Sequence, residues 1–241
     1  MEKDYEGSVK IQDFSSNGRV SRILGRKTGR IHHFLSDLET KVFYILDFDK
    51  NVVDIKEHYP LEDVRDLITD NDINWKKFND KKTDKEYAIT TTFLVTLSNN
   101  KEVAISCKNK SQLYKSSTQL KLEIERRYWN IKGINWCIVT NEDISNIKLN
   151  NIKWLQLGES LIDINAELLN IIEETISINT GKLKNYIENI SKKYNYEYRL
   201  VLSTIKTMII NNYLLINLDE EISLETNIER FLINEEMQWK S

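Results

Sequence analysis

Between residues 34 and 157 the period of the hydrophobic positions changes several times, and each change predicts an element. Phe34, Leu35, Leu38, Val42, Phe43, Ile45 and Leu46 recur at helical spacing, with Asp37, Thr40 and Lys41 on the polar face, which predicts a first helix. In NVVDIKEHYPL, Val53 and Ile55 alternate with Asp54 and Lys56 until Pro60, as in a strand. The polar stretch LEDVRDLITDNDINWKKFNDKKTDKE is read as a short helix and a loop. Two β-branched runs, EYAITTTFLVTL and KEVAISCK, flank SNN and predict an antiparallel hairpin. From Ser111 to Ile131 the residues Leu120, Ile124 and Tyr128 share one stripe, a helix that Gly133 closes. INWCIVT and IKWLQL are read as two short strands. Residues 32–157 therefore predict a mixed α/β domain.

After Leu157 only helical periods remain, through LIDINAELLNIIEETI, LKNYIENISKKY and YRLVLSTIKTMIINNYLL. The tail predicts a short hairpin at Leu214 to Leu224 and a last helix. Three helices and a hairpin suit either a winged helix or a plain packed bundle. At the other end, residues 1–31 lack a sustained apolar period, and Gly18, Gly25 and Gly29 punctuate them, so they read as an extended arm. Its GRVSRILGRKTGR segment carries Arg19, Arg22, Arg26, Lys27 and Arg30 without one acid. A charge run is often just a solvated face, but glycines beside five basic groups suit contact with DNA phosphates. The organisation expected is a basic arm over 1–31, an α/β domain over 32–157 and a small helical domain over 158–241.

Composition narrows the function classes. With 40% hydrophobic residues in 241, the chain has the material for a buried core. No apolar run approaches the roughly 20 residues of a membrane span, and MEKDYEGSVK lacks a secretory apolar stretch, so a cytoplasmic protein is expected. Cys107 and Cys137 match no zinc or disulfide spacing and are read as buried thiols, while His32, His33 and His58 lack zinc-site partners. A net charge of -3 gives no global basic field, so any DNA contact must be local. Arg126 and Arg127 either add to such a patch or pair with Glu123 and Glu125 one turn away. Tyr128, Trp129 and Trp136 read as core residues.

The chemistry suggested by the hairpin is phosphodiester cleavage, which needs an activated water, a divalent cation and a positive group at the phosphate. On KEVAISCK, Ser106 and Lys108 share one face and Cys107 the other. Lys108 is then placed to reach a phosphate, and the Cys107 carbonyl to ligate a metal. Ser106 and Cys107 have no His at nucleophile spacing, which argues against covalent catalysis. Read alone, Lys108 is equally a strand-edge charge and Glu39 a solvated helix residue.

The blocks TGRIHHFLSDLE, VVDIKEHYPL, ITTTFLV, SCKNKSQL, KLEIERRYW and INWCIVT, in this order, resemble the TnsA family, the endonuclease subunits of heteromeric transposases. The resemblance spans roughly residues 19 to 140. It implies a restriction-endonuclease-like α/β core, a mixed sheet flanked by helices, followed by a carboxy-terminal domain that binds partners. It implies hydrolysis of a phosphodiester at a transposon end, Mg2+ with Mn2+ as a substitute, and work beside a TnsB-type transposase and a TnsC-type ATPase regulator. The site residues it implies are Glu39, the third residue of the TTTF block and Lys108, with metal ligation by Glu39, that third residue and the Cys107 carbonyl. The third residue here is Thr92, where the family has an aspartate, so the site lacks one carboxylate. Glu57, Asp54 and Glu125 are the acids available to compensate. Without compensation, the expected role is an assembly or DNA-binding factor that keeps the fold; a stand-alone restriction or repair nuclease is the remaining alternative.

Overall fold

The computed structural model describes residue 5 and residues 19–70, 72–79, 86–157 and 165–236. The chain divides into two compact units, residues 1–144 and 145–241.

In the first unit, β1 (Ser21–Leu24) and β2 (Ile31–Phe34) form an antiparallel hairpin, where the sequence suggested a loose arm. The turn requires its glycines. A Cβ on Gly25 would meet Thr28 Oγ1 at 2.5 Å and His32 Nε2 at 2.7 Å, and Gly29 sits at φ +67. Only one face of this hairpin is apolar enough to dock, with Ile23 and Phe34 joining the core. That face is too short to register as a period, which is why the arm reading failed. Residues 1–4 and 6–18 of the expected arm lie outside the described residues.

Helix α1 (Asp37–Phe48) starts at Ser36, whose hydroxyl accepts the Glu39 N–H, as an N-cap residue does. Near its other end the Asp47 carboxylate accepts the N–H groups of Arg26 and Lys27 at 3.1 and 3.2 Å, pinning the hairpin turn onto the helix. β3 (Val52–Pro60), β4 (Thr90–Leu97), β5 (Glu102–Cys107) and β6 (Asn135–Val139) make one sheet in the order β3-β4-β5-β6. β3, β4 and β5 pair antiparallel, and β5 pairs with β6 in parallel. The parallel pair needs a crossover, which α3 (Ser116–Ile131) supplies.

Side-chain alternation on the sheet divides the core in two. Phe93, Val95, Ile105 and Cys107 pack with Leu38, Val42 and Phe43 of α1. Leu94 and Ala104 pack instead with Ile124, Tyr128 and Trp129 of α3 and with Val64 of α2 (Val64–Leu67). A mixed sheet with helices on both faces is the restriction-endonuclease-like core that the sequence implied. Cys107 is buried as expected, but Cys137 is exposed, because alternate residues of β6, at the sheet edge, face outward.

The second unit opens with α4 (Asn146–Gln156), so IKWLQL is helix and not strand. Ser145 caps it by accepting the Lys148 N–H, and Leu149, Ile152 and Leu155 are buried at helical spacing. Six residues with four apolar positions fit either period; the cap upstream decides for helix. α5 (Ala166–Ile176), α6 (Leu183–Tyr194) and α7 (Tyr198–Ile210) follow. β7 (Leu214–Leu215) pairs with β8 (Leu232–Ile233), so the tail hairpin is wider than expected and a strand stands where its last helix should begin. Residues 237–241 lie outside the described residues. Of the 13 residues of α7 only Arg199 is exposed. A winged helix that reads DNA needs an open third helix; α7 is instead the centre of a packed bundle.

Candidate active site

Helix α1, strands β3 and β4, the end of β5 and helix α3 converge on a cavity of about 210 Å³ lined by Leu35, Glu39, His58, Ala88, Thr90, Thr92, Lys108 and Lys121. The sequence-derived residues Glu39, Thr92 and Lys108 thus lie around one cleft, each delivered by a different local cause. Glu39 sits in the first turn of α1, where its carboxylate accepts the Leu35 N–H at 2.7 Å while Ser36 accepts the Glu39 N–H at 3.2 Å. This reciprocal arrangement resembles a capping box and fixes the carboxylate at the cavity wall. Thr92 is nearly buried on β4. The β4 and β5 ladder ends at Phe93 and Ile105, and the next free donor, the Cys107 N–H, goes to Thr92 Oγ1 at 2.9 Å. Lys108 follows β5, its N–H held by the Val139 carbonyl at 3.1 Å.

The other two ionisable residues of the lining, His58 and Lys121, were not read as site residues from sequence. His58 adopts φ 48 within β3, a conformation uncommon outside glycine. The twist leaves Glu57 and His58 buried side by side. The His58 ring nitrogen Nε2 donates to the His33 carbonyl at 3.1 Å and lies 3.8 Å from Glu39 Oε2. Burial lowers the pKa of His58, although Glu39 and Glu57 pull the other way. Lys121 projects from α3; burial lowers its proton affinity, Glu125 raises it, and Lys108 lowers it further. One signal was available: Lys121, Glu125 and Tyr128 share a helix face at i, i+4 and i+7, and the last two are buried.

The acids proposed as compensators are engaged elsewhere, and none lines the cavity. Glu57, its side chain 3% exposed, takes Arg30 Nη1 and His32 Nδ1 on one oxygen, each at 2.8 Å. Burial alone would raise its carboxyl, but the His32 hydrogen bond and charge and the Arg30 guanidinium outweigh that and bring it down to about 2. Glu125 is buried and accepts the Ser106 hydroxyl, and Trp136 Nε1 donates to Ser106 at 2.9 Å. Asp54 lies in β3 level with Thr96 of β4 and outside the cavity lining. Nor does Cys107 line the cavity, its thiol being packed against α1.

The basic set also divides. Arg30 is not available for DNA, since it is tied to Glu57 and donates to the Ile55 carbonyl. Arg19, Arg22 and Arg26 are exposed and Lys27 is half-buried. Arg126 and Arg127 both pair with Glu123, and Arg127 also meets Asp70 and Asp72, so internal ion pairs account for them.

Residues 49–141 match the family model described as TnsA-like endonuclease N terminal. That stretch contains Thr92, Lys108 and Lys121. The chain is also 34% identical over 224 residues to the transposon Tn7 transposition protein TnsA of Escherichia coli, an alignment covering 90% of this chain and 80% of that protein. The chain belongs to the TnsA family.

An endonuclease family implies divalent-metal dependence in general, and the residues of this TnsA-family cleft can be tested against that. Mg2+ takes oxygen ligands in octahedral array, usually with one or two carboxylates. Among the described residues the cavity offers one carboxylate, Glu39, the hydroxyls of Thr90 and Thr92, and two lysines. No group of three His, Cys, Asp or Glu side chains among the described residues is placed to hold a metal ion. The donor set does not fit a divalent cation as it stands. No helix among the described residues is long and apolar enough to cross a membrane.

Proposed function

We propose that this chain is a TnsA-type endonuclease subunit of a heteromeric transposase, directed at the phosphodiester of a transposon end, with strand cleavage held low by Thr92. The observation that carries this reading is the cleft, where Glu39, Thr92 and Lys108 meet inside a TnsA-family fold. In its direct form, Lys108 holds the scissile phosphate, and Glu39 is the acid nearest the attacking water. Thr92 keeps the hydrogen bond to the Cys107 N–H but adds no negative charge. The neutral hydroxyl favours a second reading, in which the subunit chiefly assembles the end complex and leaves little hydrolysis of its own.

DNA contact falls to Arg19, Arg22, Arg26 and Lys27, with the partners a TnsB-type transposase and a TnsC-type ATPase regulator. The helical unit is the surface for the regulator, since α7 is enclosed and offers little to a DNA groove. Reconstitution on a labelled transposon end tests the reading. The expected result is recruitment of this chain to the end that both partners strengthen, with a small cut fraction. Efficient cutting of DNA by the chain alone would support a stand-alone nuclease and overturn the proposal.

A further inference from the structure

The same cavity that lacks metal ligands is equipped for the opposite charge. Among the described residues it holds one carboxylate, Glu39, against two ammonium groups, Lys108 and Lys121. Glu39 is partly committed, since it accepts the Leu35 N–H and stands 3.8 Å from His58. Thr92 has its oxygen occupied by the Cys107 N–H. The acid nearest Lys121 on its own helix, Glu125, is held by Ser106 and lies outside the cavity lining. Glu125 and Glu39 offset part of the positive charge at Lys121, and the repulsion that remains between the two ammonium groups favours an anion placed between them. An aspartate at position 92 would supply that negative charge from the protein. Threonine does not.

We propose that this cavity binds a phosphate oxyanion directly, without a divalent cation, with Lys108 and Lys121 as its two charged donors. The hydroxyls of Thr90 and Thr92 line the same cavity and suit the remaining phosphate oxygens, and His58, level with Thr92 on the neighbouring strand, lines it too. Charge-assisted hydrogen bonds from ammonium groups are the strong kind, and a half-open cavity of about 210 Å³ has room for a phosphate group to enter. The substitution of Thr92 thus converts a place for a cation into a place for an anion. The inference extends the reading of the chain as a subunit that grips an end phosphate, but it concerns the cavity alone and survives if that reading fails.

The test uses inorganic phosphate and the intact chain, in chelator and without DNA or partners, followed by calorimetry or phosphorus NMR. The wild type should bind phosphate in chelator. Lys108→Met and Lys121→Met should each weaken binding by roughly tenfold or more, the loss of one charged hydrogen bond. Lys110→Met, which removes a cation paired with Glu142 outside the cavity, should leave it unchanged. Thr92→Asp keeps both lysines and should weaken phosphate as strongly, which guards against a lysine variant that merely misfolds. A short transposon-end duplex that displaces the phosphate would make a backbone phosphate the occupant; failure to displace it would make the occupant a free anion. Binding that requires magnesium, or that persists unchanged in Lys108→Met, Lys121→Met and Thr92→Asp, would overturn the proposal.

Discussion

Thr92 Oγ1 accepts the backbone N–H of Cys107 at 2.9 Å, closing with a side chain the ladder that β4 and β5 leave open. A carboxylate at position 92 would accept the same N–H with one oxygen and face the cavity with the other. The backbone of the cleft would therefore hold an acid at position 92 in the same frame, and threonine there differs from one mainly in charge.

Glu57 anchors the hairpin to the sheet, and its removal should be felt as instability. Its folded carboxyl lies near 2 against an ordinary value of 4.5. A depressed carboxyl contributes stability that is present above the ordinary value and is lost as pH falls through the folded one. Glu57→Gln should cost about 3 kcal/mol near neutral pH, as breaking a buried pair does, and the gap from wild type should narrow as pH falls from 4.5 toward 2. Urea unfolding across that range checks both the size and the sign. A gap that widens with acid would contradict the assignment.

The hairpin cations separate into two kinds. Replacing Arg22, Arg26 and Lys27 with alanine should lower the dependence of log affinity on log salt by up to about 2.7, at ~0.9 for each phosphate contact, with little change in stability. Arg30→Ala should instead destabilise the fold, because it leaves the buried Glu57 with only His32 and the His33 N–H as partners. Duplex binding at several salt concentrations, beside thermal unfolding, distinguishes the two effects.

In the helical unit, the buried Lys206 ammonium donates to the carbonyls of Trp154 and Leu157 at 2.6 and 3.1 Å and lies over the Trp154 ring at 4.3 Å. It closes the end of α4. Lys206→Met keeps the aliphatic stem but leaves both carbonyls without that donor, at a cost of about 2 kcal/mol. Thermal unfolding of the whole chain should show the loss, while phosphate binding in the first unit should not change.

Local signals carried most of the fold and little of its wiring. The β4 and β5 pair was legible because β-branched residues alternate on both sides of a three-residue polar break, and α1 because its apolar stripe is long. IKWLQL was not, since so short an apolar window fits two periods. The pairing of Arg30 with Glu57 joins residues 27 apart and leaves no pattern in either segment. Glu39, Thr92 and Lys108 came from ordered family blocks, whereas Lys121 looked like one more charge on a mixed helix. Its place on the cavity wall follows from how α3 crosses the sheet, a tertiary fact.

If one missing carboxylate limits cleavage, a nicking assay on a transposon-end duplex with the partner subunits and magnesium or manganese should reveal it. Thr92→Asp should raise nicking on the order of 100-fold, the equivalent of about 2.7 kcal/mol of barrier, and Lys108→Ala or Glu39→Gln in that background should abolish the gain. A wild type that already cuts as fast as Thr92→Asp would contradict the account.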